Sequence, residues 1–508
     1  MNKIKEQFKK DFEESNKKVE LTFDVSQLIP NAEPEVSFEE VKRKKSKKRK
    51  IIIISCVSSA AVLTLVAIPL LQNIKVHSSV TTRKRAISAN AIAIAESNTF
   101  KKINNVKFPE NERPFEKQLS DSEMNAYNNF TNRTYHAVVD TSNNDNMSYA
   151  AVGLYSLMNE MYGSISREEL KNDFDNLLGL NENSRKKFYE YVMLANSFVS
   201  ENCTTQLKNS AFFNTEFNYS QEFVNKLTDL YCQAYTIDFK TEADKMVEWV
   251  NKAVNSDGFI DKSFLKMSQY TQLYFFSTLY FKNAWAHKYL SENNVDDEFY
   301  LSNGSTITTK YMSHSYTTDC YYDYGSYISF KDYYLTGVGS ITYLIPKDTS
   351  DDIYALTRNV NIFDEKDTNK VVFKRDPYSD YTSPFVVNLK TPKFKVTAEI
   401  DFKNSLSNLG FGDMFDDHFD SFHNAFDDPA ASTLNFYLEQ AKQKNEVEFN
   451  EDGTVIKSIS MGSYAERDVS VGPMGEELNI DLNQPFIYII RDCNEVPILV
   501  GHVDNPKY

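Results

Sequence analysis

Glycine and histidine are scarce in this chain, with 15 and 7 among 508 residues. None of the glycines forms a G-x-G-x-x-G or G-x-x-x-x-G-K-[ST] loop, which argues against a nucleotide site. H-E-x-x-H and G-x-S-x-G are also absent, so neither a zinc protease nor a serine hydrolase is indicated. The chain is therefore predicted not to be an enzyme.

Cysteine is sparse as well, and positive charge does not dominate. The five cysteines lie far apart with no C-x-x-C pair, a pattern that predicts free thiols rather than a zinc site or a disulfide scaffold, although one disulfide remains possible. The formal net charge of −15 argues against a general nucleic-acid binder, because phosphate contacts need clustered Lys and Arg.

The best candidate for a metal site is FDDHFDSFHNAFDD, residues 415–428, where His418 and His423 stand among aspartates. A spacing of five does not place two histidines on one helical face. Aspartate-rich loops are usually just solvated. We therefore expect neither a metal nor a cofactor.

One long apolar run divides the chain. Residues 51–71 contain no charge, and eight of the nine residues 42–50 are basic. A helix of that length crosses a bilayer, and the positive-inside rule places the preceding tail in the cytoplasm. A cleaved signal peptide is the alternative, but the nearest A-x-A sites lie about twenty residues too far along. A lipoprotein anchor would require Cys56 at the end of the run, and it stands near the start.

The predicted organisation has four parts. It comprises a cytoplasmic basic tail (1–50), a transmembrane helix (51–72), a stalk (73–110) and a large domain (111–508) outside the cell. Helical periodicity dominates the first half of the large domain, and strand-like runs such as YTQLYFFSTLYF and PFVVNLKTPKFKV follow. Helices first and strands later, without βαβ alternation, predict an α+β fold with large mixed sheets.

The end of the chain carries a specific pattern, NIDLNQPFIYIIRDCNEVPILVGHVDNP. It resembles the signature of the serpin family, the serine protease inhibitors. Three further stretches resemble family motifs in the same order: NMSYAAVGLYSLMNEMYGSISREEL, LYFKNAWAHKY and LKTPKFKVTAEIDFKNSLSNLGFGDMF. The residues that carry the signature are Asn483, Pro485, Phe486 and Trp285.

The resemblance implies a fold with about three β-sheets, eight to nine helices and an exposed reactive-centre loop. It also implies a mechanism in which a target serine protease cuts this loop and is trapped as an acyl-enzyme when the loop inserts into the main sheet. The implied partner is that protease, the protein is expected to be a monomer, and no cofactor is implied. The Lys-, Asn- and Tyr-rich composition and the predicted anchor favour a bacterial-type, membrane-tethered member.

The stretch NEDGTVIKSISMGSYAERDVSVGPMGEE, residues 450–477, resembles the loop and its hinge. Glu451, Gly453 and Thr454 match the hinge. Because side chains alternate across a sheet, an inserted strand would turn one set of residues toward the interior: Thr454, Ile456, Ser458, Ser460 and Gly462. Proline is absent from 454 to 472, which suits a central strand.

The position of the scissile bond has two solutions. Counting fourteen residues from Gly453, the family spacing, gives Arg467–Asp468, which would suit a trypsin-like protease. Counting backward from the Pro485 strand gives Met474–Gly475, which would suit chymotrypsin- or elastase-like enzymes. We favour Arg467 because the hinge side sets the insertion length.

Three departures from the family pattern keep rival functions open. Ile456 stands where inhibitors favour small residues, Gln443 stands where a His is usual, and Ser277 replaces a common Asn. Slow insertion would make the protein a substrate or a binding surface with a serpin fold rather than an inhibitor. A membrane signalling protein with a cytoplasmic tail is the second rival.

Overall fold

The structure, a computed structural model, describes residues 92, 94–107, 119–142, 146–199, 203–318, 320–335, 339–364, 385–456 and 477–508. The chain divides into two units, residues 1–76 and 77–508, and all described residues lie in the second. No described helix is both long and apolar enough to cross a membrane. The predicted span 51–71 falls outside the described residues, as does the tail before it.

The described residues form ten α-helices, numbered α1 to α10: Asp121–Thr141, Ala151–Tyr162, Glu168–Leu178, Glu182–Ala195, Gln221–Asp229, Phe239–Glu242, Asp244–Ala253, Lys262–Leu265, Ile353–Thr357 and Phe402–Leu406. The predicted number of eight to nine was slightly low. Four of the helices have only four or five residues, too few to show a helical period.

Eighteen strands, β1 to β18, complete the described fold: Lys101–Lys102, Asn146–Tyr149, Ser197–Val199, Cys203–Asn214, Cys232–Ile237, Leu273–Ala284, Val295–Tyr300, Thr306–Thr318, Tyr321–Asp323, Tyr327–Tyr333, Gly339–Pro346, Phe385–Pro392, Phe394–Asp401, Lys442–Asn450, Gly453–Ile456, Glu477–Asp481, Phe486–Asp492 and Pro497–Val503. They build three sheets. The α+β class and the three sheets are confirmed.

The main sheet has eight strands in the order β1-β5-β4-β6-β15-β14-β13, with β3 paired to β4. The second sheet runs β2-β18-β17-β11-β10-β9 and the third β16-β12-β8-β7. β13 shows why such strands form, since its residues are alternately buried and exposed from Phe394 to Asp401. This period of two lets one face pack on the core and the other meet solvent.

The core lies between the main and second sheets. Helix α2 packs against both β6 and β18, and ten of its twelve residues are buried. A helix that is apolar nearly all round can be stable only inside a protein. Every residue of β17 and β18 is buried, so the C-terminal hairpin forms the centre of the second sheet rather than its edge.

Two local predictions have different outcomes. No disulfide joins the four described cysteines, Cys203, Cys232, Cys320 and Cys493. The boundary expected at residue 111 falls differently, because β1 joins the edge of the main sheet through β5 and Phe100 is 1% exposed. Part of the expected stalk is therefore folded onto the domain.

A buried carboxyl makes stability depend on pH. Asp492 lies 3% exposed at the end of β17 and accepts hydrogen bonds from the Tyr191 hydroxyl (2.8 Å) and the Asn494 and Val496 amides (2.9 and 3.1 Å). Burial raises its pKa to about 6, although these hydrogen bonds oppose the shift. The folded state thus prefers the protonated carboxyl.

The sign of the pH effect follows from that preference. Because the pKa of Asp492 is raised in the folded state, its contribution to the free energy of unfolding is fully present below the pKa of the unfolded state. This contribution, about 3 kcal/mol, is lost as pH rises toward about 6. We expect Asp492→Asn to remove this decline in the free energy of unfolding, measured by chemical denaturation from pH 4 to 7. The exposed control Asp351→Asn should keep it, and an unchanged slope in Asp492→Asn would contradict the assignment.

Candidate functional site

The hinge strand β15 lies inside the main sheet, between β6 and β14. Gly453 pairs with Ala284 of β6 and with Asn450 of β14, and Ile456 pairs with Phe281, all antiparallel. The chain turns back immediately after β14, at residues 451 and 452. The start of the predicted loop is thus already a central strand, four residues long.

Glycine is required at the first position of β15. Gly453 has φ +152°, and a Cβ there would lie 2.1 Å from the Asn283 carbonyl oxygen and 2.9 Å from the Ala284 Cα. These are backbone atoms of β6 and cannot move aside. Any side chain at this position would push the hinge out of the sheet.

Thr454 faces the interior, with no exposed surface. The Tyr334 hydroxyl donates to Thr454 Oγ1 at 2.7 Å. Tyr334 stacks on Trp285, with ring centroids 5.0 Å apart and planes 15° apart. Trp285 Nε1 donates in turn to the Asn450 carbonyl at 2.9 Å. The family tryptophan therefore ties the end of β14 to the residue that enters the sheet next.

Glu451 is fixed from two sides in the turn before β15. Its carboxylate pairs with Lys393 Nζ at 3.0 Å and accepts a hydrogen bond from the Asn294 side-chain amide. Burial alone would raise the pKa of Glu451, but Asn294 and Lys393 together lower it. Their stabilisation is present above the unfolded pKa and is lost as pH falls through the folded one.

Replacing Glu451 by Gln should weaken this anchor. The two side chains are 19% and 12% exposed, so Lys393 would keep a largely buried charge without its partner. We expect Glu451→Gln to lower the free energy of unfolding at pH 7 by about 1–3 kcal/mol. Chemical denaturation of single and double variants with Lys393→Met measures the coupling.

A second ion pair on the same strands provides the control. Glu446 and Lys395 lie 3.2 Å apart, and their side chains are 15% and 44% exposed. Because the lysine left without its partner by Glu446→Gln is partly exposed rather than largely buried, we expect this variant to cost only about 0–1 kcal/mol. Equal losses in the two variants would mean that the hinge pair has no special role.

Beyond β15 the sheet is open. Within the described residues, β6 pairs along this edge only from Phe281 to Ala284, through β15, and the facing edge of β14 pairs only from Glu448 to Asn450. We call the space between the remaining edges, residues 271–280 and 438–447, the slot. Two cavities of about 90 and 180 Å³ lie along it.

The slot's floor is a small polar cluster on β14 and α2. Gln443 accepts from the Ala150 amide at 2.8 Å and donates to the Ala150 carbonyl at 2.9 Å. Asn445 donates to Gln443 Oε1 at 2.9 Å and to the Ser148 carbonyl at 2.7 Å. The residue that replaces the usual His therefore fastens the strand to the start of the central helix.

Ser277 lies on the opposite side of the slot floor, on β6. Its Oγ is buried and has no hydrogen-bond partner among the described residues. A Cβ built on Gly153 would meet both Gln443 Nε2, at 3.0 Å, and Ser277 Oγ, at 3.8 Å, so these two side chains line the same small space. An unpaired buried hydroxyl is costly, and an arriving polar side chain would relieve it.

The three C-terminal signature residues serve the fold rather than the slot. Phe486 is fully buried, and its ring packs edge-on against Tyr343 and Phe394 at 6.1 and 5.8 Å. The Asn483 carbonyl accepts from the Tyr300 amide at 2.8 Å. Pro485 immediately precedes β17, which begins at Phe486.

The metal candidate does not form a shared histidine site. His418 contacts Asp416 and Asp417 at 2.7 and 3.1 Å and is 85% exposed; hydrogen bonding to Asp416 raises its pKa. His423 instead pairs with Asp420 at 2.9 Å. These contacts are ordinary surface ion pairs between neighbours in sequence.

The sequence did not assign several residues that hold the hinge. Lys393, Asn294 and Tyr334 meet the hinge across 58, 157 and 120 residues. Lys393 stood inside the quoted T-P-K-F motif, which was the only signal. Ser458, Ser460 and both candidate bonds, Arg467–Asp468 and Met474–Gly475, lie outside the described residues.

The three sheets and the hinge strand inside the main sheet together define a class of protein fold. A comparison of the sequence with known protein families identifies that class. A sequence model described as Serpin (serine protease inhibitor) matches residues 125–506. The chain belongs to the serpin family. Its family is one of protease inhibitors rather than enzymes.

Similar proteins come from plants and animals. Serpin-ZX of Hordeum vulgare is 27% identical over 283 residues, covering 54% of this chain and 67% of that protein. Serpin-Z2A of Triticum aestivum is 25% identical over 389 residues, covering 71% and 90%. The leukocyte elastase inhibitor of Xenopus laevis is 25% identical over 318 residues, covering 59% and 77%. They lend no support to the bacterial assignment.

Solved structures agree in fold. The thermophilic serpin tengpin in its native state has a TM-score of 0.62 at 17% identity, over 77% of this chain and 95% of that one. Serpin48 of the insect Tenebrio molitor has a TM-score of 0.61 at 17% identity, over 77% and 100%.

Proposed function

We propose that this serpin inhibits a serine protease as a suicide substrate. The protease serine Oγ attacks the Arg467 carbonyl carbon, and an ester replaces the Arg467–Asp468 peptide bond. The serine proton passes through the protease histidine to the departing Asp468 amine. Residues 457–467 then enter the slot as a strand between β6 and β14, and the acylated protease is carried with them before water can hydrolyse the ester.

The observation that carries this proposal is the position of β15. The first residues of the loop already pair with β6 and β14 on both sides, and the two neighbouring edges beyond them are unpaired within the described residues. Insertion therefore extends an existing strand and does not start a new one. Each added ladder hydrogen bond contributes about 0.5–1.5 kcal/mol.

The register of β15 predicts the contacts of each inserted residue. Continuing it one residue at a time places Ser458 opposite Leu279 and Asn445. Ser460 falls between Ser277 and Gln443. A serine would then meet the unpaired Ser277 hydroxyl at the slot floor, where one more hydrogen bond satisfies a buried group.

The same register supports Arg467 as the residue cut. It places Arg467 opposite Tyr270, just beyond the start of β6 at Leu273. Met474 would fall opposite Ser263, which lies in helix α8 and offers no strand edge. Fourteen inserted residues extend past the start of β6 by three, whereas twenty-one extend past it by ten.

The experiment combines denaturing gels with mass spectrometry. The full chain is mixed with trypsin, chymotrypsin and elastase, and the released C-terminal peptide is sequenced. The proposal expects an SDS-stable complex with trypsin and a peptide that begins at Asp468. Clean cleavage without a complex would overturn it and favour the substrate-like alternative, for which the unusual Ile456, Gln443 and Ser277 are the arguments.

The location is a further part of the proposal. Residues 51–72 are proposed to span the membrane, with residues 1–50 in the cytoplasm and the serpin domain outside the cell, where secreted proteases act. The support is the uncharged run 51–71 and the basic residues before it. Added protease should digest the domain in intact cells and leave the tail protected; the reverse pattern would contradict this orientation.

A further inference from the structure

Residues 94–107, which we call the clasp, precede the family-matched range and fold onto the edge of the main sheet. Phe100 is 1% exposed. Its ring stacks on Tyr235 of β5 (5.2 Å, 13°) and lies 6.4 Å from Phe212 of β4. Neither aromatic on the sheet would be covered on this side without the clasp.

Polar contacts fasten the first half of the clasp to α6 and α7. Ser97 Oγ donates to the Glu242 carboxylate at 2.8 Å, and Thr99 donates to the same oxygen. These two hydrogen bonds lower the pKa of Glu242, with Thr99 the larger cause. Lys245 Nζ donates to the Ala95 carbonyl at 2.6 Å. The clasp is therefore held by charged partners as well as by its aromatic ring.

The second half continues the sheet. Lys101 and Lys102 pair with Thr236 and Tyr235, and the Ile103 amide donates to the Ala234 carbonyl at 2.9 Å. Asn104 extends the ladder with its side chain: Oδ1 accepts from the Ala234 amide at 2.9 Å, and Nδ2 donates to the Cys232 carbonyl at 2.8 Å.

The strand pairings show how far along the main sheet, measured parallel to its strands, the clasp lies. We call this position the clasp level. Successive pairings carry that level from β1 to the start of β6: Lys101 to Thr236, Thr236 to Phe213, and Phe213 to Leu273. The hinge lies at the other end of β6, where Gly453 pairs with Ala284. At the rise of a strand, eleven residues separate the two levels by about 36 Å. The chain preceding residue 94 therefore joins the domain at the pole opposite the hinge.

We infer that the clasp fixes the N-terminal attachment of this serpin at the pole where a trapped serine protease finishes. This inference rests on the proposed insertion. Before cleavage the loop leaves from the hinge, whose first residue, Gly453, lies about 36 Å from the clasp level. After insertion, Arg467 lies opposite Tyr270, within about 10 Å of the clasp level and about 19 Å across four strand spacings. A protease captured far from the N-terminal attachment is delivered beside it.

The docking of the clasp is tested first, without any protease. In the full chain, Phe100→Ser should free the clasp and accelerate hydrogen exchange at the Ala234 and Thr236 amides by about tenfold or more. Lys107→Ser, at an exposed position of the clasp, is the matched control and should leave exchange unchanged. Equal exchange in both variants would overturn the clasp itself.

The delivery of the protease is tested by energy transfer. A donor dye is placed at Asn98→Cys in the clasp or at Ser291→Cys near the hinge, both exposed positions. The background is the full chain with Cys56, Cys320 and Cys493 replaced by Ser, and the acceptor is on trypsin. A trypsin whose catalytic serine is replaced by alanine gives the docked state. On trapping, transfer should at least double from Asn98 and should fall from Ser291.

The outcomes separate this inference from the proposed function. An SDS-stable complex without the rise at Asn98 would overturn the inference and leave the inhibitor function intact. A rise that disappears in the Phe100→Ser background would support the clasp as its cause. Failure to form any SDS-stable complex would overturn the proposed function and the delivery of the protease together.

Discussion

A Thr454→Arg variant should be cleaved by the target protease as readily as the native chain but should trap it at least about 100-fold less efficiently. Thr454 has no exposed surface and accepts a hydrogen bond from Tyr334. An arginine there would bury an unpaired charge, which costs several kcal/mol. The scissile region is unchanged, so the first chemical step should proceed while the strand fails to extend. The ratio of SDS-stable complex to cleaved chain on a gel measures the effect.

Two control variants isolate burial as the cause. Thr454→Ser keeps the hydroxyl and should trap normally. Asp452→Arg places the same charge in the exposed turn two residues earlier and should also trap normally. Efficient trapping by Thr454→Arg would mean that the hinge leaves the sheet before the loop inserts, and the strand-extension mechanism would then be wrong.

The fold was largely predictable from local patterns. The strand-like run YTQLYFFSTLYF predicted β6, and the apolar run after Pro485 matches the strand β17. Strand β4 was harder to find, because its first half, CTTQLK, mixes polar and apolar residues with little contrast. The clasp could not be predicted, since its small and polar residues show no period and only Phe100 is deeply buried. Its two-residue strand β1 exists through pairing with β5, a tertiary effect that overrides local propensity.

The sequence pointed to the residues of the hinge itself, but it did not identify the residues distant in sequence that contact them. Alternation predicted Thr454 on the interior face of an inserted strand, since a period of two is a local property, and Thr454 has no exposed surface. The altered residues Gln443 and Ser277 were identified by their departure from the family pattern, yet only the structure shows them lining one space with Gly153. The contacts of Glu451 with Lys393 and Asn294 span 58 and 157 residues, and no local pattern encodes such pairs.

In the proposed loop insertion, the hinge contacts favour entry of the strand, and the polar cluster at the slot floor opposes it. Tyr334 and Lys393 hold the near end of the loop in register with β6 and β14, which directs extension. Gln443 bonds to Ala150, the residue before α2, Asn445 bonds to Ser148 of β2, and the two bond to each other, so they brace the β14 edge. In the proposed insertion the loop passes this satisfied cluster before it reaches Ser277, so we expect the insertion rate to depend on residues 277 and 443 more than on the hinge.

Replacing Arg467 by Ala should reduce trapping of a trypsin-like protease by about 100-fold or more, because the protease specificity pocket loses the cation that its buried carboxylate binds. Met474→Ala should have no such effect, since Met474 lies beyond the length that β6 can pair. Asp468→Ala should accelerate association by removing a carboxylate next to the scissile bond. The second-order rate constants of inhibition of trypsin measure all three variants.

The pair of loop variants decides the scissile bond independently of the released peptide. If Met474→Ala abolished trapping of chymotrypsin or elastase while Arg467→Ala left inhibition unchanged, the bond would be Met474–Gly475. Twenty-one residues would then follow Gly453 before the cut, and the register of β15 would place the last ten beyond Leu273, where no β6 edge remains. The acylated protease would then be attached to a loop segment that has no strand partner in β6, and it would not contact the pole of the sheet. The proposed mechanism needs that contact to distort the protease, so we expect the shorter insertion, which ends at Arg467 and extends past β6 by only three residues.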